Sequence, residues 1–167
     1  MKKRVSILLV FVMVLLTAVS CQKPDAEPKN KIFNSNGMTI TLTDEFHESS
    51  YQGYTACYES SKVAVFVLKE SFSLQEGFED FTLDEYAELV LQSNSSKSPS
   101  AISKKDGLTS MEYKFFNENT NQTYKYFSVM YKGPDAFWLV QFACVENIYD
   151  AQKDSFVTWA KTVKFDS

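Results

Sequence analysis

Two runs in this chain, Val63-Ala64-Val65-Phe66-Val67-Leu68 and Phe137 to Val145, are apolar at almost every position. A strand with one wet face alternates apolar and polar residues, so consecutive apolar residues mark a strand covered on both sides. Whatever sheet holds these two runs therefore needs a layer against each face. The rest of the chain has to supply strands to flank them and elements to cover them.

The flanking strands are legible. Met38-Thr39-Ile40-Thr41-Leu42 alternates with period two, and Asn36-Gly37 before it is a turn signal that pairs it with Lys31 to Phe33. Gly53 to Glu59 and Val63 to Glu70 make a second hairpin joined at Ser60-Ser61. Asp106-Gly107 turns Ala101 to Lys105 into a strand over Leu108 to Phe116, and the polar loop Asn117 to Asn121 leads to Thr123 to Lys132. Gly133-Pro134-Asp135 then turns the chain into Phe137 to Val145, so three long consecutive antiparallel strands are expected.

Two helices are available as cover. Thr82-Leu83-Asp84-Glu85 is a capping box, in which the threonine oxygen takes an orphan amide and the glutamate reaches back. Leu83, Tyr86, Ala87 and Val90 follow on one stripe, ended by Asn94-Ser95-Ser96 and Pro99. The segment Ile148 to about Val163 places Gln152, Phe156, Trp159 and Val163 on one side of a second helix, and Lys164-Phe165 forms a short extended end. The fold class expected is α+β, an antiparallel β-sheet flanked by helices on both faces, one helix per face.

The first residues are of a different kind. Met1-Lys2-Lys3-Arg4 is followed by Val5 to Val19, apolar apart from Ser6 and Thr17, and then by Ala18-Val19-Ser20-Cys21. The apolar run is short for a membrane span and suits a cleaved secretory segment. These residues resemble a bacterial lipoprotein signal ending in a lipobox, with Ala18 where leucine is commonest. The resemblance implies processing before Cys21, a diacylglyceryl group on its sulfur, and a mature protein held by lipid on the outer face of a membrane. Gln22 to Lys31, with Pro24 and Pro28, has the composition of a flexible tether. The organisation expected is a signal over residues 1–20, a tether over 21–31 and one α+β domain over 32–167.

Charge narrows the partners. The chain holds 17 basic and 21 acidic residues, and without the three basic residues of the signal it carries 14 lysines against those 21, a net charge of −7. An acidic domain lacks the footprint that gathers phosphates, which argues against nucleic acid. Every basic residue after Arg4 is lysine, so no guanidinium fork is present to grip carboxylates or phosphates bidentately.

Catalytic chemistry finds little to work with. His47 is the single histidine and falls in a surface turn, so a two-histidine metal site within the chain is impossible. Nucleophile-elbow, P-loop and zinc-protease motifs are absent, and no cofactor or metal is expected. Cys57 and Cys144 remain as thiols in two strands. Export permits a disulfide between them, and each also sits where cysteine serves as a small apolar core residue, so both readings stand. Acidic residues gather at Glu76, Glu79, Asp80, Asp84, Glu85 and Glu88, as a solvated face or a set of oxygen ligands. Tyr124, Tyr126, Phe127 and Tyr131 form an aromatic strand; if one face is open, Tyr124, Tyr126 and Tyr131 are the candidate interaction surface, and if not they are core.

The order of elements is similar to the PsbP-like fold, a class that includes small exported bacterial lipoproteins of the DcrB type. The similarity rests on Gly37 to Leu42 running into Asp44-Glu45-Phe46, the helix from Thr82, the Phe137 to Val145 strand and the closing Phe156, Trp159, Val163 and Phe165. It implies a non-enzymatic accessory or binding role and supplies no site residue. The function expected is a lipid-anchored envelope module that binds a protein or glycan. The alternatives are a surface-anchored hydrolase working through paired carboxylates and a carrier of a small apolar ligand.

Overall fold

The computed structural model describes residues 27 to 166. The expected signal, Cys21 and most of the expected tether lie outside them. Within them the chain forms ten strands and two helices: β1 (Asn30–Ser35), β2 (Met38–Thr43), β3 (His47–Ser49), β4 (Ala56–Glu59), β5 (Ala64–Ser71), α1 (Leu83–Ser93), β6 (Ser103–Lys105), β7 (Leu108–Asn117), β8 (Gln122–Lys132), β9 (Ala136–Val145), α2 (Tyr149–Ala160) and β10 (Lys164–Phe165).

Local chemistry places the turns and caps where the sequence put them. Asn36 and Gly37 both take positive φ, 50° and 93°, the left-handed pair that lets β1 fold back on β2 with Ser35 facing Met38. Asp106 and Gly107 do the same between β6 and β7, at 59° and 76°. Thr82 accepts a hydrogen bond from the Glu85 amide at 3.2 Å while the Glu85 carboxylate accepts from the Thr82 amide at 2.8 Å, closing the capping box of α1. Gly133 is needed for another reason: a Cβ there would stand 2.9 Å from the Trp138 indole nitrogen. Asn30 and Lys31, in the segment expected as tether, pair with Thr43 and Leu42 as part of β1.

The strands divide into two sheets. Seven of them run in the order β3-β4-β5-β9-β8-β7-β6, each pair antiparallel. The other three form a small sheet in the order β1-β2-β10. A single sheet was the simplest expectation; instead the first hairpin leaves it, and β10 pairs with β2 through Lys164 and Phe165. The reason lies in β2, whose Met38, Ile40 and Leu42 are fully buried and turn one apolar face to a shared core rather than an edge to the large sheet.

β9 sits at the centre of the large sheet between β5 and β8, which explains why both of its faces are apolar. Its alternate side chains enter two separate clusters. Trp138, Val140, Phe142 and Cys144 join the residues of the small sheet and Phe156 and Ala160 of α2. Phe137 and Leu139 join Tyr86, Ala87 and Val90 of α1. The Tyr86 ring lies flat on Phe137 at 4.4 Å between centroids, and its hydroxyl donates to Glu70 at 2.5 Å. The architecture is α+β and mostly antiparallel sheet, with a small second sheet sharing one of the two clusters.

Candidate functional site

Register decides which side chains share a face. Because directly opposed residues of antiparallel strands point the same way, Phe66 of β5, Gln141 of β9, Ser128 of β8 and Met111 of β7 form one row across the large sheet. The next row is Ala64, Ala143, Tyr126 and Tyr113, and the one after it is Val145, Tyr124 and Phe115. These rows lie on the same face as Phe137 and Leu139. There α1 covers the rows nearest Phe137, whereas the Tyr126 and Tyr124 rows run on beyond it.

The uncovered rows form the floor and one wall of a cleft of about 690 Å³. Its floor is small, made by Ala64 and Ala143. On the β8 side stand Tyr124, Tyr126 and Phe115. On the β5 side stands Phe66, with Tyr54 and Tyr51, from the connection between β3 and β4, leaning on it at 4.9 and 5.6 Å between ring centroids. At one end the Phe66 and Tyr126 rings close to 6.5 Å, nearly parallel, and Tyr126 in turn stacks on Tyr113 at 4.7 Å. Tyr51, Tyr54 and Phe115 are 46%, 40% and 45% exposed, an aromatic density that a solvated sheet face does not need.

The polar groups of the cleft are few and placed at its rim. The Tyr51 hydroxyl donates to Glu59 Oε1 at 2.6 Å, and Tyr124 donates to Gln122 Oε1 at 3.2 Å. Ser60, Ser61, Lys62 and Asn117 complete the rim. The hydrogen bond to Glu59, with burial, raises the Tyr51 pKa, and burial raises Tyr54 and pushes Tyr126 up to about 12. Tyr51, Tyr54 and Tyr126 are therefore neutral at physiological pH, and Glu59 and Lys62 are the two charged side chains among the lining residues. At the covered end of the same face Gln141 donates to the Tyr113 hydroxyl at 2.7 Å and to Ser128 at 3.3 Å. This buried trio fixes the Tyr113 ring on which Tyr126 stacks.

The structure places each group that the sequence singled out. Tyr124 and Tyr126 belong to the cleft, but Tyr131 points to the opposite face, opposite Trp138, where its hydroxyl donates to the Ala160 carbonyl at 2.8 Å. An odd step along a strand changes sides, and 126 to 131 is odd. Cys57 and Cys144 are both free and buried. Cys57 stands in the Phe66 and Gln141 row, while Cys144 faces the α2 cluster through the other side of the sheet, so no disulfide can join them. The acidic residues around α1 do not reach the cleft: Glu85 caps the helix, Asp84 pairs with Lys104 at 2.6 Å, and the Lys132 ammonium donates to the carbonyls of Glu79 and Phe81. His47 is exposed on the edge strand β3, opposite Glu59. Among the described residues no three histidine, cysteine or carboxylate side chains converge as a metal site.

Tyr51, Tyr54, Phe66 and Phe115 were missed. Phe115 alternates in phase with the buried Met111 and Tyr113 of its own strand and Phe66 lies in a run apolar at every position, so both read as core; the two tyrosines sit in a loop whose approach to Phe66 no local pattern announces. A second groove, of about 720 Å³, runs between β6, β7 and α2. Of its two carboxylates, Asp106 pairs with Lys161 at 3.3 Å and Glu112 is held by Lys153 at 2.5 Å and Lys125 at 2.9 Å, which leaves them little capacity for a ligand.

No protein-family model matches the sequence, and none of the curated proteins does. Solved structures do. The solution structure of cyanobacterial PsbP (CyanoP) from Synechocystis sp. PCC 6803 superposes with a TM-score of 0.54 at 8% identity, over 83% of this chain and 93% of that one. A crystal structure from Bacteroides thetaiotaomicron VPI-5482 aligns at 10% identity and a TM-score of 0.49, over 84% of this chain and 49% of that one. The fold is PsbP-like.

Proposed function

We propose that this chain is an exported accessory or binding module of the cell envelope, held at a membrane face by lipid on Cys21, which meets its partner through the aromatic cleft. The observation that carries the binding role is the uncovered half of the large sheet's face. An apolar face that continues past its covering helix costs solvation unless something occupies it, and here it is hollowed rather than flat. The export and anchoring half of the reading rests on the basic, apolar and small-residue order that ends at Cys21. Glu59 is the single carboxylate lining the cleft, and it already accepts from Tyr51; paired-carboxylate hydrolysis would need a second one facing it.

Two measurements test this. Cell fractionation with acyl labelling should find the protein in the membrane fraction, and Cys21→Ala should release it and abolish the label; unlabelled wild-type protein in the soluble cytoplasm overturns the anchoring. Photo-crosslinking from benzoylphenylalanine placed at Tyr54 should trap an envelope component, while the same probe at Leu74, an exposed apolar residue outside the cleft, should trap none. Equal yields from both positions would remove the cleft from the function.

A further inference from the structure

We infer that the aromatic cleft takes a neutral oligosaccharide, its hexopyranose rings stacked on the aromatic side chains that line it. This rests on the binding role proposed above and names the ligand class for that site.

The argument begins with spacing. Phe66 belongs to β5 and Tyr124 to β8, with β9 between them, and their rows are set by Gln141 and Val145, so the two rings stand on opposite sides of the floor of Ala64 and Ala143, about 10 Å apart across the strands and about 13 Å apart along them. Phe66 and Tyr126 lean together to 6.5 Å and close one end of the cleft; beyond them Tyr124 and Phe115, the latter 45% exposed, offer aromatic faces to a saturated ring. A pyranose offers C–H groups on both faces for such walls and hydroxyls around its edge.

The rim matches that edge. Glu59 Oε1 accepts from Tyr51, and no lysine pairs with the Glu59 carboxylate among the described residues, which leaves Oε2 as a charged acceptor for a pair of neighbouring hydroxyls. On the opposite wall Asn117 and Gln122 carry amides, each both donor and acceptor. A polyol satisfies donors and acceptors of both kinds without bringing charge. An anionic ligand would meet Glu59 with Lys62 as its only cation, and a basic peptide would leave the amide wall and the flat ring faces unexplained. A volume of about 690 Å³ lies within the range that encloses a small ligand.

The test is titration of the purified full chain, followed by saturation-transfer NMR and calorimetry, with chitotetraose, cellotetraose and maltotetraose as probes and N-acetyltyrosine amide as the aromatic control. The expected result is saturable binding of at least one saccharide. Tyr54→Ala and Tyr124→Ala should each weaken it roughly tenfold or more, the usual loss on truncating an aromatic anchor. Glu59→Gln should weaken it several-fold, and Leu74→Ala should leave it unchanged. Should Tyr54→Ala disturb the fold, Tyr54→Phe and Tyr124→Phe keep the wall, and binding should survive both. Failure of all three saccharides overturns the proposal. If Tyr54 still yields envelope adducts by crosslinking in that case, the cleft remains a binding site for another ligand; if it yields none, the cleft loses its role altogether.

Discussion

Glu112 shows how a single residue couples two layers of this molecule. It projects from β7 toward α2 and is held by Lys153 of the helix and Lys125 of β8, while the Lys125 ammonium also sits 3.9 Å from the centre of the Tyr149 ring. Burial alone would raise the Glu112 pKa, but the hydrogen bonds from the two lysines outweigh it and hold the carboxyl below its ordinary value. A folded pKa lower than the unfolded one stabilises the fold above the unfolded value of 4.5, and that contribution disappears as pH falls through the lower folded value. Glu112→Gln should therefore cost roughly 1–2 kcal/mol at neutral pH. By about pH 3 the difference from wild type in urea unfolding should narrow; a constant gap at both pH values would refute this role. The cysteines are the second residue-scale case. Burial raises the Cys57 thiol and pushes Cys144 up to about 11. Both should resist a thiol reagent in the native protein and react once it is unfolded. Adding dithiothreitol should leave the melting temperature unchanged, and a fall on reduction would contradict the opposed faces. From sequence the two thiols could be placed on strands but not on sides, because the side depends on registers set three strands away.

At the scale of elements, the turns, caps and strand limits follow from chemistry confined to a few neighbouring residues. Asn36-Gly37 and Asp106-Gly107 can take positive φ at low cost, and the Thr82–Glu85 reciprocal bonds begin α1 at Leu83. Thr82→Ala should destabilise the protein by about 1 kcal/mol, measured as a lower urea midpoint with an unchanged slope. Thr82→Ser should recover most of it. β3, by contrast, has only three residues and exists because β4 offers it an edge; nothing in His47-Glu48-Ser49 announces a strand. α2 gains its stability from Phe156 and Ala160 in the shared core, and its amphipathic stripe was readable. What was not readable is that its end feeds β10 back onto β2, since two residues carry no period.

Across the whole molecule, the covered and uncovered halves of one sheet face set the contrast that matters for function. α1 has 11 residues and is about 16 Å long, whereas β8, also of 11 residues, runs about 36 Å. A helix of that length cannot cover the face of strands that long. Phe137, under α1, should cost about 3–5 kcal/mol when changed to alanine. Phe66, on the same face but in the cleft and half-buried, should cost only about 1 kcal/mol. Comparable losses in urea unfolding would mean that the cleft is core. Hydrophobic period, turn chemistry and capping act within a few residues, so the α+β class, the hairpins, the capped helix and the doubly covered β9 were legible in the chain, whereas β5, which reads as covered on both sides, leaves Ala64 and Phe66 open to the cleft. Long-range packing set β5 beside β9 rather than its own chain successor, drew the first hairpin away into a second sheet, and brought Tyr51 and Tyr54 to rest on Phe66. Those pairings join residues distant along the chain, such as Ala64 with Ala143, and are selected by which apolar faces can be buried together. The cleft exists where that burial stops short, at the boundary between a short helix and a long sheet.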